Sequence, residues 1–200
     1  MKSVLISTRP KLVEKICHKI GEDETGKAIY EKRIEVRKTA PKEVPFKCYI
    51  YETKGQYVKF THGAHTKYGY GRGKVIGEFI CDKVEIVNAK CSDYGIDLFY
   101  HDCLTNGCLT EREIEKYFNV PEDRDLRAMK GNGYVWNISD LKIYDTPKEL
   151  SEFSRPCSYS GLCFSCKRTS FKKDGNLLCN TKITRPPLSW CYVEDLGEEE

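Results

Sequence analysis

The feature that most constrains this chain is a run of short segments with the two-residue alternation of β-strands, separated by turns and broken by few helical stretches. Arg33-Ile34-Glu35-Val36-Arg37 alternates charged and apolar residues, the period of a strand with one wet face. Phe46-Lys47-Cys48-Tyr49-Ile50-Tyr51 reads as a second strand. Residues 74–87 read as one long strand, with Gly77 a candidate bulge, and 134–138, 141–144 and 189–193 read as further strands. Helices are sparse. Ser7-Thr8-Arg9-Pro10 supplies a cap and a first-turn proline for an amphipathic segment carrying Leu12, Val13, Ile16 and Ile20. Thr110 and Glu113 form a capping-box pair that predicts a helix over 111–118, and a short helical or turn segment begins at Pro147. Many short strands with two or three short helices predict an α+β fold built on a small β-barrel with short flanking helices.

Length and composition bound the class. A chain of 200 residues can bury roughly 70% of its unfolded surface, so a core forms without disulfide staples. Apolar residues at 40% and charged residues at 32% exclude collagen, low complexity and wholesale disorder. No apolar run approaches the ~18 residues of a membrane span, and the opening Met-Lys-Ser-Val-Leu-Ile lacks a signal peptide's apolar core. A cytoplasmic location with no membrane partner is therefore expected, where cysteines act as metal ligands, core residues or nucleophiles. The net charge of +3 is unevenly spread: the last eight residues hold five acids and no base, so residues 1–192 carry 33 bases against 25 acids, a net +8. Residues 151–192 alone hold seven bases against two acids. A basic body suits a polyanion, although a Lys-rich surface also serves solubility alone.

Four of the 11 cysteines cluster as Cys157-x5-Cys163-x2-Cys166-x12-Cys179. The x2 pair puts two thiolates on one knuckle, and two further thiolates complete a tetrahedral all-sulfur site suited to structural zinc. The surrounding Ser, Gly, Lys and Asn cannot build a core, so a metal would supply the folding energy. Four unbound thiols, or an iron–sulfur cluster on the same ligands, are the alternatives. Cys103, Cys108 and Cys191 stand as reserve ligands. His62-x2-His65 has zinc-like spacing without a Cys or acid nearby, within a glycine-rich, aromatic and basic loop over 61–73 whose Lys67, Tyr68, Tyr70 and Arg72 could track a nucleic-acid backbone.

On a strand, Arg33, Glu35 and Arg37 share a face, with Lys32 at the strand's start. A Glu between cations stays ionised and can accept from an exocyclic amine, while Arg offers a fork for phosphate or guanine. A cross-strand charge ladder on a wet face is the plainer alternative.

Residues 30–39, Tyr-Glu-Lys-Arg-Ile-Glu-Val-Arg-Lys-Thr, resemble the Gly-x-Lys-x-x-Glu-x-Arg signature of the ASCH domain family. Lys32, Glu35 and Arg37 fill the charged positions and Tyr30 replaces the glycine. The opening Leu-Ile-Ser-Thr-Arg-Pro-Lys, Lys74-Val-Ile-Gly-Glu-Phe, Asn137-Ile-Ser-Asp-Leu-Lys-Ile-Tyr-Asp and Thr184-Arg-Pro-Pro-Leu-Ser-Trp are similar to ASCH proteins of the prophage-associated kind. The resemblance implies a PUA-like barrel over residues 1–153, a Cys-rich metal-binding insertion over 154–182, a final barrel strand over 183–196 and an acidic tail over 197–200. It also implies an RNA- or nucleotide-binding cleft lined by the signature. Arg9, Tyr51, Lys67, Arg72, Trp136 and Trp190 are further candidates for contacting RNA or nucleotide, with core filling the plainer role for the two tryptophans.

Some ASCH proteins resemble amidohydrolases that deacetylate N4-acetylcytidine with a Lys, a hydroxyl residue and a Glu. Lys32 matches that Lys, the hydroxyl position is Glu35 in this chain, and Glu78 and Glu85 are candidates for the acid. The function expected is thus an RNA- or nucleotide-binding module. A hydrolase of a modified nucleoside using Lys32 and Glu35 is the alternative, and a protein adaptor using the Cys-rich loop is a third class.

Overall fold

The computed structural model describes residues 1–62, 65–120, 128–157, 169–171, 177–179 and 181–197. In chain order the elements are β1 (Lys2–Thr8), α1 (Pro10–Cys17), β2 (Lys19–Glu22), β3 (Ala28–Tyr30), β4 (Ile34–Arg37), β5 (Phe46–Glu52), β6 (Gln56–His62), β7 (His65–Tyr70), β8 (Val75–Cys81), β9 (Val84–Asn88), α2 (Asp93–Thr105), α3 (Glu111–Phe118), β10 (Asn132–Asn137), β11 (Ser139–Lys148), a 3₁₀ turn (Leu150–Glu152), β12 (Thr169–Phe171), β13 (Leu177–Cys179) and β14 (Trp190–Val193).

Alternation along the strands builds two main sheets, beside the two-stranded ribbons β2-β3, β6-β7 and β12-β13. The larger has the order β11-β8-β5-β1-β14, antiparallel except for the β1–β5 pair, and the smaller is the antiparallel β4-β10-β9. They are continuous at one corner. The expected long strand over 74–87 breaks at Asp82-Lys83 into β8 and β9, and β10 passes through Ile138 into β11. One antiparallel pair therefore bends across both sheets, with the Asn137 amide donating to the Lys83 carbonyl at 3.0 Å at the bend. A register shift between Ile50 and Tyr51 lies beside Gly77, where the bulge was expected.

The opposite side differs from a closed barrel. Among the described residues no backbone ladder joins β4 to β14 or β1, so the two sheets leave a seam. Strand β4 has only four residues, and its Arg37 side chain, rather than its backbone, reaches across to β1 and to Ser189.

Three apolar clusters fill the layers. Val4, Ile6, Phe46, Cys48, Ile50, Ile76, Phe79 and Trp136 pack between the sheets with Val13 and Ile16 of α1. The alternate residues Leu5, Tyr49, Tyr51 and Val75 face the other side, covered by Leu150, Phe153 and Ile183. Ile34, Val36 and Val135 turn away from the seam and pack on Ile96, Phe99 and Cys103 of α2 and Ile114 and Phe118 of α3. Strand β4 is thus buried on both faces, and its alternation of charge is not the alternation of a wet face.

Two elements differ from expectation. Helix α2 was not foreseen, because its residues include poor helix formers, Gly95 among them; Ser92 caps it by accepting from the Gly95 amide at 3.2 Å. Residues 65–70, expected as loop, form β7, since Tyr68 and Tyr70 continue a strand period opposite Val58 and Gln56. Helix α3 carries the expected capping box. No described helix is long and apolar enough to cross a membrane.

The chain leaves the larger sheet at Ser154 and returns at Lys182, and these two residues form a β-bridge. Of the cysteine cluster, Cys163 and Cys166 lie outside the described residues, as does the side chain of Cys179, whose backbone ends β13; Cys157 is exposed. Among the described residues no three His, Cys, Asp or Glu side chains are grouped to hold a metal. The side chains of His62 and His65 lie outside the description.

Candidate functional site

Antiparallel pairing places Glu35 opposite Trp136 and Arg37 opposite Tyr134, so the charged residues of β4 point into the space between the sheets, at the open seam. Lys32, Glu35 and Arg37 are only 1%, 4% and 7% exposed. Buried charges must be paired, and these are. Lys32 Nζ donates to the Ile34 carbonyl at 2.6 Å and the Gly107 carbonyl at 2.9 Å, and lies 3.4 Å from Glu35 Oε2. Arg37 Nη2 lies 3.0 Å from Glu35 Oε1 and donates to the Ser7 carbonyl at 3.0 Å, while Nη1 donates to the Ser189 carbonyl at 3.3 Å. Burial pushes the Glu35 carboxyl up, but Lys32 and Arg37 together outweigh it and hold the group below the ordinary carboxylate value.

The loop between α2 and α3 helps to fix this triad. The Asn106 carbonyl accepts from the amides of Arg33 and Ile34 at 2.8 and 3.2 Å, next to the Gly107 carbonyl that holds Lys32. The segment 32–34 is thereby clamped at its backbone and at its side chain.

A cleft of about 470 Å³ opens over the triad, walled by Ser7, Thr8 and Arg9 on one side and by Leu109, Glu113, Lys116 and Tyr117 on the other, with Lys38 and Leu188 at its rim. It carries five cations, Arg9, Lys32, Arg37, Lys38 and Lys116, against two acids, Glu35 and Glu113. Arg9 pairs with Glu113 at 2.9 Å, and Lys38 lies over the Tyr117 ring at 5.0 Å. Three buried polar atoms along this wall and floor, Thr8 Oγ1, Glu35 Oε2 and Arg37 Nε, have no hydrogen-bond partner. Buried polar atoms without hydrogen-bond partners are rare, and three of the six among the described residues belong to side chains that line this one cleft. A carboxylate, a guanidinium and a hydroxyl residue thus line one cleft, a set with donors and acceptors for a flat polar edge, and the surrounding cations suit an anionic group.

Arg9 thus joins Lys32, Glu35 and Arg37. The other expected contact residues lie elsewhere. Trp136 is fully buried in the inter-sheet core, edge-on to Phe46. Trp190 donates through Nε1 to Thr39 Oγ1 at 2.9 Å and lines a separate groove along β14. Tyr51 packs in the cluster on the far face of the larger sheet. Arg72 lies 3.7 Å from Glu52 on the other side of α1, and Lys67 is exposed on β7. Glu78 accepts from Tyr144 Oη at 2.5 Å, and Glu85 pairs with Lys83 at 2.5 Å, so neither acid lines the cleft. Thr8, Lys38, Lys116 and Tyr117 were missed. Only the capping box of α3 marked the helix that brings the last two, and its sequence signature says nothing about which face meets β4.

No family model and no curated protein matches the chain. Among solved structures it is similar to ASCH from Zymomonas mobilis, at 16% identity and a TM-score of 0.44 over 74% of each chain. A tyrosine-to-phenylalanine variant of that protein gives 14% identity and a TM-score of 0.45 over 75% of this chain and 77% of the other.

Proposed function

We propose that this chain is an ASCH-type, PUA-like module that binds RNA or a nucleotide in the cleft over Lys32, Glu35 and Arg37. The observation that carries this reading is a cleft with five cations and two acids, whose lining residues Thr8, Glu35 and Arg37 each hold a buried polar atom without a hydrogen-bond partner. The Glu35 carboxylate suits a base's exocyclic amine, the Arg37 guanidinium suits the neighbouring ring acceptor, and Arg9, Lys38 and Lys116 attract the phosphate. The signature resemblance of residues 30–39 supports the same reading, because its three charged positions are the three residues of the triad.

Binding of nucleoside monophosphates and short RNAs, followed by calorimetry and fluorescence anisotropy at several salt concentrations, tests the proposal. Affinity should fall steeply with salt, and Glu35→Gln and Lys116→Ala should each weaken binding about tenfold or more. Wild-type protein that binds neither class of ligand, or variants indistinguishable from it, would refute the reading.

The amidohydrolase alternative has less support from the site. A lysine acting as a base must point its nitrogen at the substrate, whereas Lys32 Nζ already donates to two backbone carbonyls and lies 3.4 Å from Glu35 Oε2. Release of acetate from N4-acetylcytidine, abolished by Lys32→Ala, would reverse that preference.

A further inference from the structure

The described side chains of the two-stranded ribbon of β6 and β7 join none of the three apolar clusters, and the ribbon lies in a basic, tyrosine-bearing stretch. Residues 53–74 hold five bases, Lys54, Lys59, Lys67, Arg72 and Lys74, and no acid. Pairing of Gln56 with Tyr70 and of Val58 with Tyr68 puts these four side chains on one face. That face is wet: Tyr68 is 50% and Tyr70 71% exposed. The opposite face is used for packing. Tyr57 lies so close over Gly69 that a Cβ there would meet its ring at 2.5 Å, and Tyr57 lines the groove against α1. The carboxylates that meet these bases lie off the exposed face: Glu14 and Glu52, in that same groove, are 3.6 Å from Lys59 and 3.7 Å from Arg72, and Glu149 is 2.8 Å from Lys74. The exposed face carries no carboxylate of its own.

The two tyrosines are two residues apart on a strand, a rise of about 6.8 Å, which is twice the ~3.4 Å step between stacked bases. One base therefore fits between their rings, or each ring serves one base of an extended strand. The ribbon also ends at the cleft. Beyond Tyr70, Gly71 packs on Pro10, where a Cβ would lie 2.5 Å from the proline Cγ, and Pro10 follows Arg9 of the cleft wall. Tyr70 and Arg9 thus each stand one residue from the contact between Gly71 and Pro10.

We infer that the exposed face of the β6–β7 ribbon is a stacking platform for single-stranded RNA, whose chain runs along Tyr68 and Tyr70 and delivers one nucleotide to the Lys32–Glu35–Arg37 cleft past Arg9. The inference rests on the nucleotide reading of the cleft and sharpens it, because it makes the ligand a polymer. The stretch that carries this face, residues 53–74, holds five bases around it and no acid, which favours a polyanion over a second copy of the same stretch. Exposed aromatic rings favour unpaired bases over a duplex, whose bases are already stacked.

The test compares three ligands, a nucleoside monophosphate, a mixed-sequence single-stranded RNA of about 12 nucleotides and the DNA strand of the same sequence, against wild type, Glu35→Gln and the double variant Tyr68→Ala/Tyr70→Ala. The RNA strand should bind at least tenfold more tightly than the monophosphate. The double variant should remove most of that gain while leaving monophosphate binding unchanged. Its circular dichroism should match wild type, since both side chains are exposed. Equal affinity for strand and monophosphate overturns the platform, as does RNA binding indifferent to the double variant. Equal binding of the DNA strand overturns the RNA assignment. A change in oligomeric state on light scattering, with RNA binding unaltered, would make the face a self-association surface instead. RNA binding that needs the tyrosines but ignores Glu35→Gln, with no monophosphate binding, would overturn the cleft reading and leave the ribbon as a binder in its own right.

Discussion

Arg37 Nη2 donates to the Ser7 carbonyl oxygen at 3.0 Å, joining β4 to β1 across a seam that no described backbone ladder closes. The same guanidinium lies 3.0 Å from Glu35 Oε1, so one side chain both ties the two sheets together and neutralises a buried carboxylate. The gap in the ladder is what makes room for the cleft. A closed barrel would place backbone where Thr8, Glu35 and Arg37 now face the cavity.

Arg37→Met should therefore cost about 3 kcal/mol, because it leaves Glu35 with Lys32 as its one remaining charge partner and breaks the contacts to Ser7 and Ser189. Urea unfolding checks it. Adding Glu35→Gln to Arg37→Met should recover part of the loss, since the uncompensated charge is then gone. A single-variant loss below about 1 kcal/mol would mean that the seam is held by other contacts.

Acid should act on the same triad. The Glu35 carboxyl is held below the ordinary carboxylate value in the folded protein, so its ionic contribution to stability is complete above that ordinary value and is lost as the pH falls through the lower folded one. The stability of wild type should decline on acidification in that range, and Glu35→Gln should decline less steeply. Parallel pH profiles for the two proteins would contradict the assignment.

What could be read from the sequence follows from the range of the interactions involved. The capping box of α3 is written within four residues, Thr110 to Glu113, and the helix stands as expected. The charged set Lys32, Glu35 and Arg37 was likewise legible, because two-residue spacing on a strand fixes a common face for Glu35 and Arg37. The alternation of β4 nevertheless misled: Glu35 and Arg37 face the inside of the molecule, and only the covering of Ile34 and Val36 by α2 and α3 makes both sides dry. That covering depends on a helix whose residues have weak local propensity. Tyr51 and Trp136, chosen as aromatic strand residues, lie in cores for the same reason: alternation separates two faces of a strand but does not say which one meets solvent. The partners of the triad, Ser7 and Gly107, are 30 and 75 residues away from the side chains they hold, beyond any local pattern.

Thr110→Ala should destabilise the protein by about 1 kcal/mol, since the Glu113 amide loses its acceptor at the start of α3. The effect should extend to binding. Glu113 also receives the Thr110 amide at 2.9 Å and pairs with Arg9 across the cleft, and Lys116 and Tyr117 follow on the same helix. A modest loss of nucleotide affinity should accompany the lower melting temperature. Thr110→Ser, which keeps the hydroxyl, should restore both.

The cysteine cluster makes the last prediction. Cys157, Cys163, Cys166 and Cys179 offer four sulfur donors in 23 residues, two of them at a Cys-x2-Cys spacing. Four thiolates around one zinc ion leave a net charge of −2, and Lys167, Arg168, Lys172 and Lys173 lie in the same stretch to offset it. The bridge between Ser154 and Lys182 brings the two ends of the segment together, so ordering it closes a loop whose entropy a metal would have to overcome. Elemental analysis of the purified protein should find about one zinc per chain. Cys166→Ser should lower that content and make residues 155–181 more sensitive to protease, while the Lys32–Glu35–Arg37 cleft keeps its nucleotide affinity because the triad's contacts involve none of these cysteines. Iron and labile sulfide in place of zinc would assign the same ligands to a cluster. Metal-free protein that resists protease equally with and without chelator would show that the segment orders itself without help.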